Sequence, residues 1–152
     1  MQLVRVSTAY VEGGLPHIWL HGAQARRCPQ CDRTRLALGN RSELHRAIAA
    51  RLVIKPYSLA PEEVRFLRSH LGCANDQLAR CLGVSPETAS RWASTTAHAR
   101  INPTAERLLR LIVAMRCGID CDPIDVCTSI AESSAAEPIA LRDVEGHWVE
   151  AR

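Results

Sequence analysis

A stretch of 22 residues, LGCANDQLARCLGVSPETASRW (71–92), constrains the fold of this chain more than any other feature. Its apolar spacing predicts two short helices, over 75–82 and 86–94, joined by a tight turn. Gly83 can adopt a positive φ and end the first helix, and Ser85 is a typical N-cap for the second. The stretch therefore predicts a helix-turn-helix.

The second helix of this pair is predicted to bury one side and expose the other. Ala89 and Trp92 are three residues apart and face inward, and small Ala79 in the first helix allows the two helices to cross closely. At 100° per residue the opposite side of the helix points outward and is free to enter a groove. The residues predicted on or beside this outward side are Glu87, Thr88, Ser90, Arg91 and Ser94.

Other periodic segments surround the helix-turn-helix. Strands are predicted at 8–11 and 17–27, helices at 40–55, 61–71, 102–116 and 122–132, and a terminal hairpin at 139–150. The predicted fold is mainly α: a five-helix repressor-type domain with a small β amino-terminal part, a degenerate zinc-knuckle-like unit, and a short C-terminal hairpin. The predicted domains are 1–40, 41–117 and 118–152.

Charge is distributed unevenly along the chain. Residues 1–58 carry nine Lys or Arg against three Asp or Glu, residues 59–117 carry eight against five, and residues 118–152 carry two against eight. Nearly every cation is arginine, which binds phosphate and guanine through two parallel hydrogen bonds. The first two thirds therefore suit a polyanionic partner, although a solvated surface is the alternative.

The same residues carry a resemblance. LGCANDQLARCLGVSPETASRW is similar to the phage-repressor type of helix-turn-helix. The ordered run ELHRAIAARLV, PEEVRFLRSHLG, LARCLGVSPETASRW and PTAERLLRLIV resembles the zinc-finger/helix-turn-helix antitoxin family, and EGGLPHIWLHG with RRCPQC matches that family's amino-terminal part. The resemblance covers residues 10–116.

The resemblance implies a toxin of the motility quorum-sensing regulator type as partner of the amino-terminal part, and an operator as partner of the helix-turn-helix. The family usually has Ser or Thr and then Gln where Ala74 and Asn75 stand here. Ala74 cannot cap a helix through its side chain, and Asn75 reaches less far toward a phosphate. Asn75 and Ser85 complete the predicted DNA-binding residues.

One CxxC pair, Cys28 and Cys31, stands among seven cysteines. Structural zinc needs four ligands, and His17 and His21, four apart on a strand, lie roughly 13 Å apart and cannot both reach one ion. Three interpretations remain open: zinc bound by Cys28 and Cys31, a degenerate knuckle held by packing, or a redox thiol whose pKa the two preceding arginines lower.

The sequence contains no nucleophile elbow, phosphate loop or metalloprotease histidine pair, so we expect no enzyme activity. The start MQLVRVSTAY does not resemble a signal peptide, and the apolar segments are too short to span a membrane, so we expect a cytoplasmic protein with no membrane partner.

The favoured function is a sequence-specific transcriptional regulator, an antitoxin-like autorepressor that binds a palindromic operator in double-stranded DNA as a homodimer. The predicted dimer surface comprises Leu109, Ile112, Ile119, Ile124 and Ile130. The alternatives are a protein-interaction module with a vestigial helix-turn-helix, and a thiol or metal sensor that uses Cys28 and Cys31.

Overall fold

The computed structural model describes residues 1–131 and 138–152 and divides the chain into two compact units. The first unit comprises residues 1–47 and the C-terminal segment from 137, and the second comprises residues 48–136. These boundaries differ from the three-part division predicted from sequence, because the C-terminal strands belong with the amino-terminal ones.

The first unit contains a five-stranded sheet with β2 at its centre. β1 pairs antiparallel with one edge of β2, while the other edge pairs in parallel with β4 near its start and antiparallel with β3 near its end. β4 and β5 form the terminal hairpin. The strands are β1 (Gln2–Ala9), β2 (Ile18–Arg27), β3 (Thr34–Leu36), β4 (Ile139–Val144) and β5 (His147–Glu150).

The prediction of a mainly α protein with a small β amino-terminal part is wrong. The chain is α/β: among the described residues, six helices account for 42% and strand residues for 23%, and the five strands form one mixed sheet. The terminal hairpin itself is present, with a two-residue turn at Glu145 and Gly146, both at positive φ. A two-stranded hairpin alone is marginally stable in water, and pairing with the free edge of β2 gives it a larger sheet.

The first five helices agree closely with those predicted, because local signals set their ends. The sixth ends at Thr128, short of the predicted end at 132, a position that lies outside the described residues. Ser85, Asn102 and Asp122 each accept hydrogen bonds from first-turn N–H groups, and a proline follows each cap. The helices are α1 (Arg41–Ile54), α2 (Pro61–Leu71), α3 (Asn75–Leu82), α4 (Pro86–Trp92), α5 (Pro103–Cys117) and α6 (Pro123–Thr128). Across the described residues, no helix has the length and apolar character required to span a bilayer.

A buried ion pair on α5 fixes the connection between α1 and α2. The side chains of Glu106 and Arg110 are each only 1% exposed, and Arg110 Nη2 lies 2.6 Å from Glu106 Oε1. The guanidinium also donates to the main-chain carbonyls of Val53, Lys55 and Tyr57. Arg110 therefore holds the end of α1 and the connection that follows it.

The carboxylates of this network hold the start of α2. Glu106 accepts from the Ser58 hydroxyl at 3.0 Å and from the Leu59 N–H at 2.9 Å. Buried Lys55 donates to both oxygens of Glu63 in the first turn of α2. Because α2 packs against α4, these polar contacts support the scaffold that carries the helix-turn-helix.

Candidate DNA-binding surface

The turn between α3 and α4 has the geometry that the sequence predicts. Gly83 adopts φ 69° and ψ 32°, and the Val84 N–H donates to the Ala79 carbonyl at 3.0 Å. The Ser85 hydroxyl accepts from the Thr88 N–H at 3.2 Å and caps α4. The direction in which α4 leaves the turn is thus determined by one glycine and one cap.

The predicted inner side of the helix pair is confirmed. Leu78 and Ala79 of α3 are buried, as are Ala89 and Trp92 of α4. Because α4 packs against the rest of the second unit through this side, it cannot rotate freely about its own axis. The opposite side of α4 consequently has a defined orientation.

Three predicted DNA-contacting residues, Glu87, Ser90 and Arg91, are exposed on α4. Among the residues that the structure describes, the Arg91 guanidinium has no hydrogen bond and no ion pair. All of its five N–H donors are therefore available to a ligand. A guanidinium of this kind can bind the O6 and N7 atoms of guanine in the major groove.

Glu87 has contacts of its own at the start of α4. The pKa of its carboxyl is lowered, chiefly because its own backbone N–H donates to it, with further contributions from the Ser85 hydroxyl and from the charge of Arg91. The carboxylate is therefore ionised and can accept from cytosine N4. To do so it must exchange its contacts at the helix start for a base contact.

The other predicted contacts on this side are partly engaged. Thr88 is half-buried, and its hydroxyl lies 3.1 Å from that of Ser85. Ser94 is also half-buried, beyond the end of α4, with its hydroxyl 3.0 Å from that of Thr96. Ser90 is thus the exposed hydroxyl next to Arg91 on α4.

Asn75 has a role that sequence reasoning did not identify. Its side-chain oxygen accepts from Arg68 of α2 at 3.1 Å, and its side-chain nitrogen donates to the carbonyl of Pro86 at 2.8 Å. The amide therefore connects α2, α3 and the first turn of α4. Neither partner is close in sequence, so no local pattern indicates the contact.

The CxxC loop lies between β2 and β3 in the first unit. Arg27 donates two hydrogen bonds to Asp32, and the Cys28 N–H donates to the Arg33 carbonyl at 3.0 Å. Within residues 1–131 and 138–152, no three His, Cys, Asp or Glu side chains are grouped as metal ligands. Two thiols with no such group around them do not fit a closed tetrahedral zinc site.

The two cysteines differ in their surroundings. The pKa of the Cys28 thiol is lowered because the backbone N–H of Gln30 donates to it, as do the backbone N–H and the thiol of Cys31. The sequence-based expectation was that neighbouring arginines would cause such a shift. The loop's own donors have that effect here, since the Arg27 guanidinium is paired with Asp32.

We expect Cys28 to react with iodoacetamide at lower pH than a free cysteine does, for which the pKa is about 8.5. A lowered pKa means that the thiolate is present at a pH where an ordinary thiol is still protonated. The pH dependence of alkylation, followed by mass spectrometry of the Cys28 peptide, measures the midpoint. Arg27→Gln serves as the matched variant: a midpoint that rises as far as that of a free cysteine would assign the shift to arginine instead.

Comparisons of the chain with protein-family models, with curated proteins and with solved structures gave no significant match. The case for a function therefore depends on the side chains described above.

Proposed function

We propose that this chain is a sequence-specific regulator that binds double-stranded DNA through α4, as an antitoxin-like autorepressor. The observation that carries the proposal is the exposed Arg91 guanidinium, which makes no hydrogen bond or ion pair with the described residues, on a helix whose other side is buried. An exposed arginine alone would not indicate DNA binding. Its place on the second helix of a complete helix-turn-helix gives it a groove-facing position.

The dimensions of α4 suit this role. Its seven residues span about 10 Å at 1.5 Å per residue, and a major groove roughly 12 Å wide admits the diameter of an α-helix. Arg91 would bind a guanine, Glu87 would accept from a cytosine, and Ser90 would contact phosphate. Arg80 of α3 is also exposed and adds positive charge near the turn.

We further propose that the regulator is a homodimer, because one short helix reads too few base pairs for useful specificity. The predicted dimer surface needs one correction: Leu109 is fully buried and cannot contact a second copy. The apolar side chains exposed to solvent on α5 are instead Leu108 and Met115, with Ile112 half-buried between them. Their spacing of four and three residues places all three on one stripe of the helix.

We expect Met115→Glu to convert the dimer into a monomer. Met115 is 84% exposed, so the change leaves the core intact while it places a charge at one end of the apolar stripe. Sedimentation velocity measures the change in mass, and Arg116→Glu, at the exposed neighbouring position, is the control. A wild-type chain that sediments as a monomer both free and on DNA would contradict the dimer.

The experiment that tests the proposed function is selection of bound duplexes from a random-sequence library. We expect a two-fold symmetric consensus with half-sites about 34 Å apart, one helical turn of DNA. Arg91→Ala should lose the preference for guanine at one position in each half-site. Recovery of no consensus from the wild-type chain would count against the proposal.

A protein-interaction module with a vestigial helix-turn-helix is the second candidate. Ala74 at the start of α3 makes no side-chain cap, and the Asn75 amide is engaged within the protein instead of being free for phosphate. Both observations favour weak binding to the DNA backbone. In that case the same selection would return random sequences, and a toxin would be the expected partner.

A further inference from the structure

The sheet of the first unit has one buried side and one solvent-exposed side. On β2, Leu20, Ala23 and Ala25 are fully buried. Residues of β2 that alternate with these face the opposite side of the sheet, which we call the outer face. Together with residues of the neighbouring strands, they define it as Arg5, Trp19, His21, Arg26, Arg35 and Arg142. Residues opposite one another in register share a side: Arg26 lies opposite Arg35, and His21 lies opposite Arg142.

A bulge in β2 keeps the exposed positions before and after it on the same side of the sheet. His21 and Gly22 together oppose one residue of β1, and Gly22 adopts φ +70°, which disfavours any side chain there. A Cβ added to Gly22 would lie 4.0 Å from Arg5 Nη1. The Arg5 guanidinium therefore lies over the bulge, in the middle of the outer face.

The outer face includes four arginines. Arg5, Arg26, Arg35 and Arg142 make no hydrogen bond or ion pair in the part of the chain that the structure describes. Two other arginines of this unit do have carboxylate partners, as the pair of Arg27 with Asp32 illustrates. Like charges directly opposite in a sheet are destabilising. A bound polyanion would remove that cost for Arg26 and Arg35.

Aromatic rings lie among these charges. Trp19 is 43% exposed, and its ring centroid lies 6.4 Å from that of His21 at an interplanar angle of 56°. An open sheet with an exposed aromatic ring and flanking arginines can stack an unpaired base and bind the phosphates on either side of it. A cavity of about 410 Å³ beside Arg26 and Arg35 extends this surface toward the end of β3.

We propose that the outer face binds single-stranded nucleic acid, independently of α4. A duplex hides the faces of its bases, and an acidic side chain has no aromatic ring for Trp19 to stack against, so neither ligand uses both features of the surface. Arginine, rather than lysine, suits this ligand because it pairs with phosphate through two hydrogen bonds and also stacks on bases.

The test is fluorescence anisotropy of the full chain with three labelled probes at fixed salt. The probes are an oligothymidylate of roughly 12 nucleotides, within the site sizes typical of such surfaces, a duplex of the same length and unrelated sequence, and a polyglutamate peptide. We expect the single strand to bind more tightly than either of the others.

Variants separate stacking from charge. Trp19→Ala should weaken single-strand binding about 5- to 150-fold, the range for loss of one base-stacking contact, while Trp19→Phe should retain most of it. Arg5→Gln should reduce the slope of log affinity against log salt by about 0.7, as expected for one phosphate contact. Arg65 is exposed on α2, and Arg65→Gln is the matched control that should leave the slope unchanged.

Arg91→Ala distinguishes this surface from the helix-turn-helix, because it should not alter single-strand binding. Unchanged binding by Trp19→Ala, or tighter binding of the duplex or of polyglutamate than of the single strand, would overturn the proposal. Loss of single-strand binding in Arg91→Ala would do the same, since it would assign the binding to α4.

Discussion

Replacement of Arg110 by methionine is expected to lower the free energy of unfolding by about 3–5 kcal/mol, the cost of removing one partner from a buried ion pair. The change leaves Glu106 charged and buried, and it removes the donor to the carbonyls of Val53, Lys55 and Tyr57. Urea unfolding at fixed pH, followed by tryptophan fluorescence to which buried Trp92 contributes, measures the loss.

Two variants make this result specific to the buried pair. Arg65→Met removes an exposed guanidinium from α2 and should change the free energy of unfolding by no more than about 0.5 kcal/mol. The double variant Glu106→Leu/Arg110→Met should lose less than the sum of its single changes, because it leaves no unpaired charge. An Arg110→Met protein with wild-type stability would contradict the role of the network.

Arg91→Ala is expected to cost about 1–3 kcal/mol of DNA-binding free energy per half-site and to relax the preference at one base pair. The free energy of unfolding should change by no more than about 0.5 kcal/mol, since the side chain is exposed and has no partner in the described structure. Titration of operator duplexes that differ at one position measures the loss of binding free energy and the relaxed preference.

Ser90→Ala is the matched control for Arg91→Ala, one residue away on the same helix. A hydroxyl that contacts phosphate contributes affinity without sequence preference, so this variant should weaken all duplexes alike. If both variants weakened every duplex equally, Arg91 would be a phosphate contact and not a base contact.

Local sequence signals were sufficient to predict the helices and the turn. Gly83, Ser85 and Asn102 set helix ends through their own backbone conformation or through bonds that reach only two or three residues along the chain. The inward position of Trp92 and the outward position of Arg91 follow from helical periodicity alone. Such features can be predicted because the interacting groups lie within a few residues of each other in the sequence.

The sheet could not be predicted in the same way. The parallel pairing of β2 with β4 joins His21 to Arg142, about 120 positions apart in the chain, and no periodicity in either strand specifies the other. The short β3 strand escaped prediction because three residues are too few for a period to be evident. The fold class was therefore wrong even though the hairpin and most elements were located.

The buried network and the Asn75 contacts illustrate the same limit in the site. Arg110 appears in the sequence as one more cation on an apolar helix, and its acceptors lie 53 to 57 positions away. Asn75 was interpreted as a phosphate contact from its place at a helix start, whereas its amide is bonded to Arg68 and Pro86. Polar groups with distant partners have no local signature.

The proposed function requires that α4 distinguish one DNA sequence from another. The most direct measurement is a fluorescence titration, at one fixed salt concentration, of the wild-type chain with the DNA upstream of its own coding sequence and with a scrambled duplex of equal length and composition. We predict a preference for the upstream duplex of about 10³-fold or more, which Arg91→Ala reduces. Equal and weak binding of both duplexes by the wild-type chain, with no further loss in Arg91→Ala, would contradict the claim.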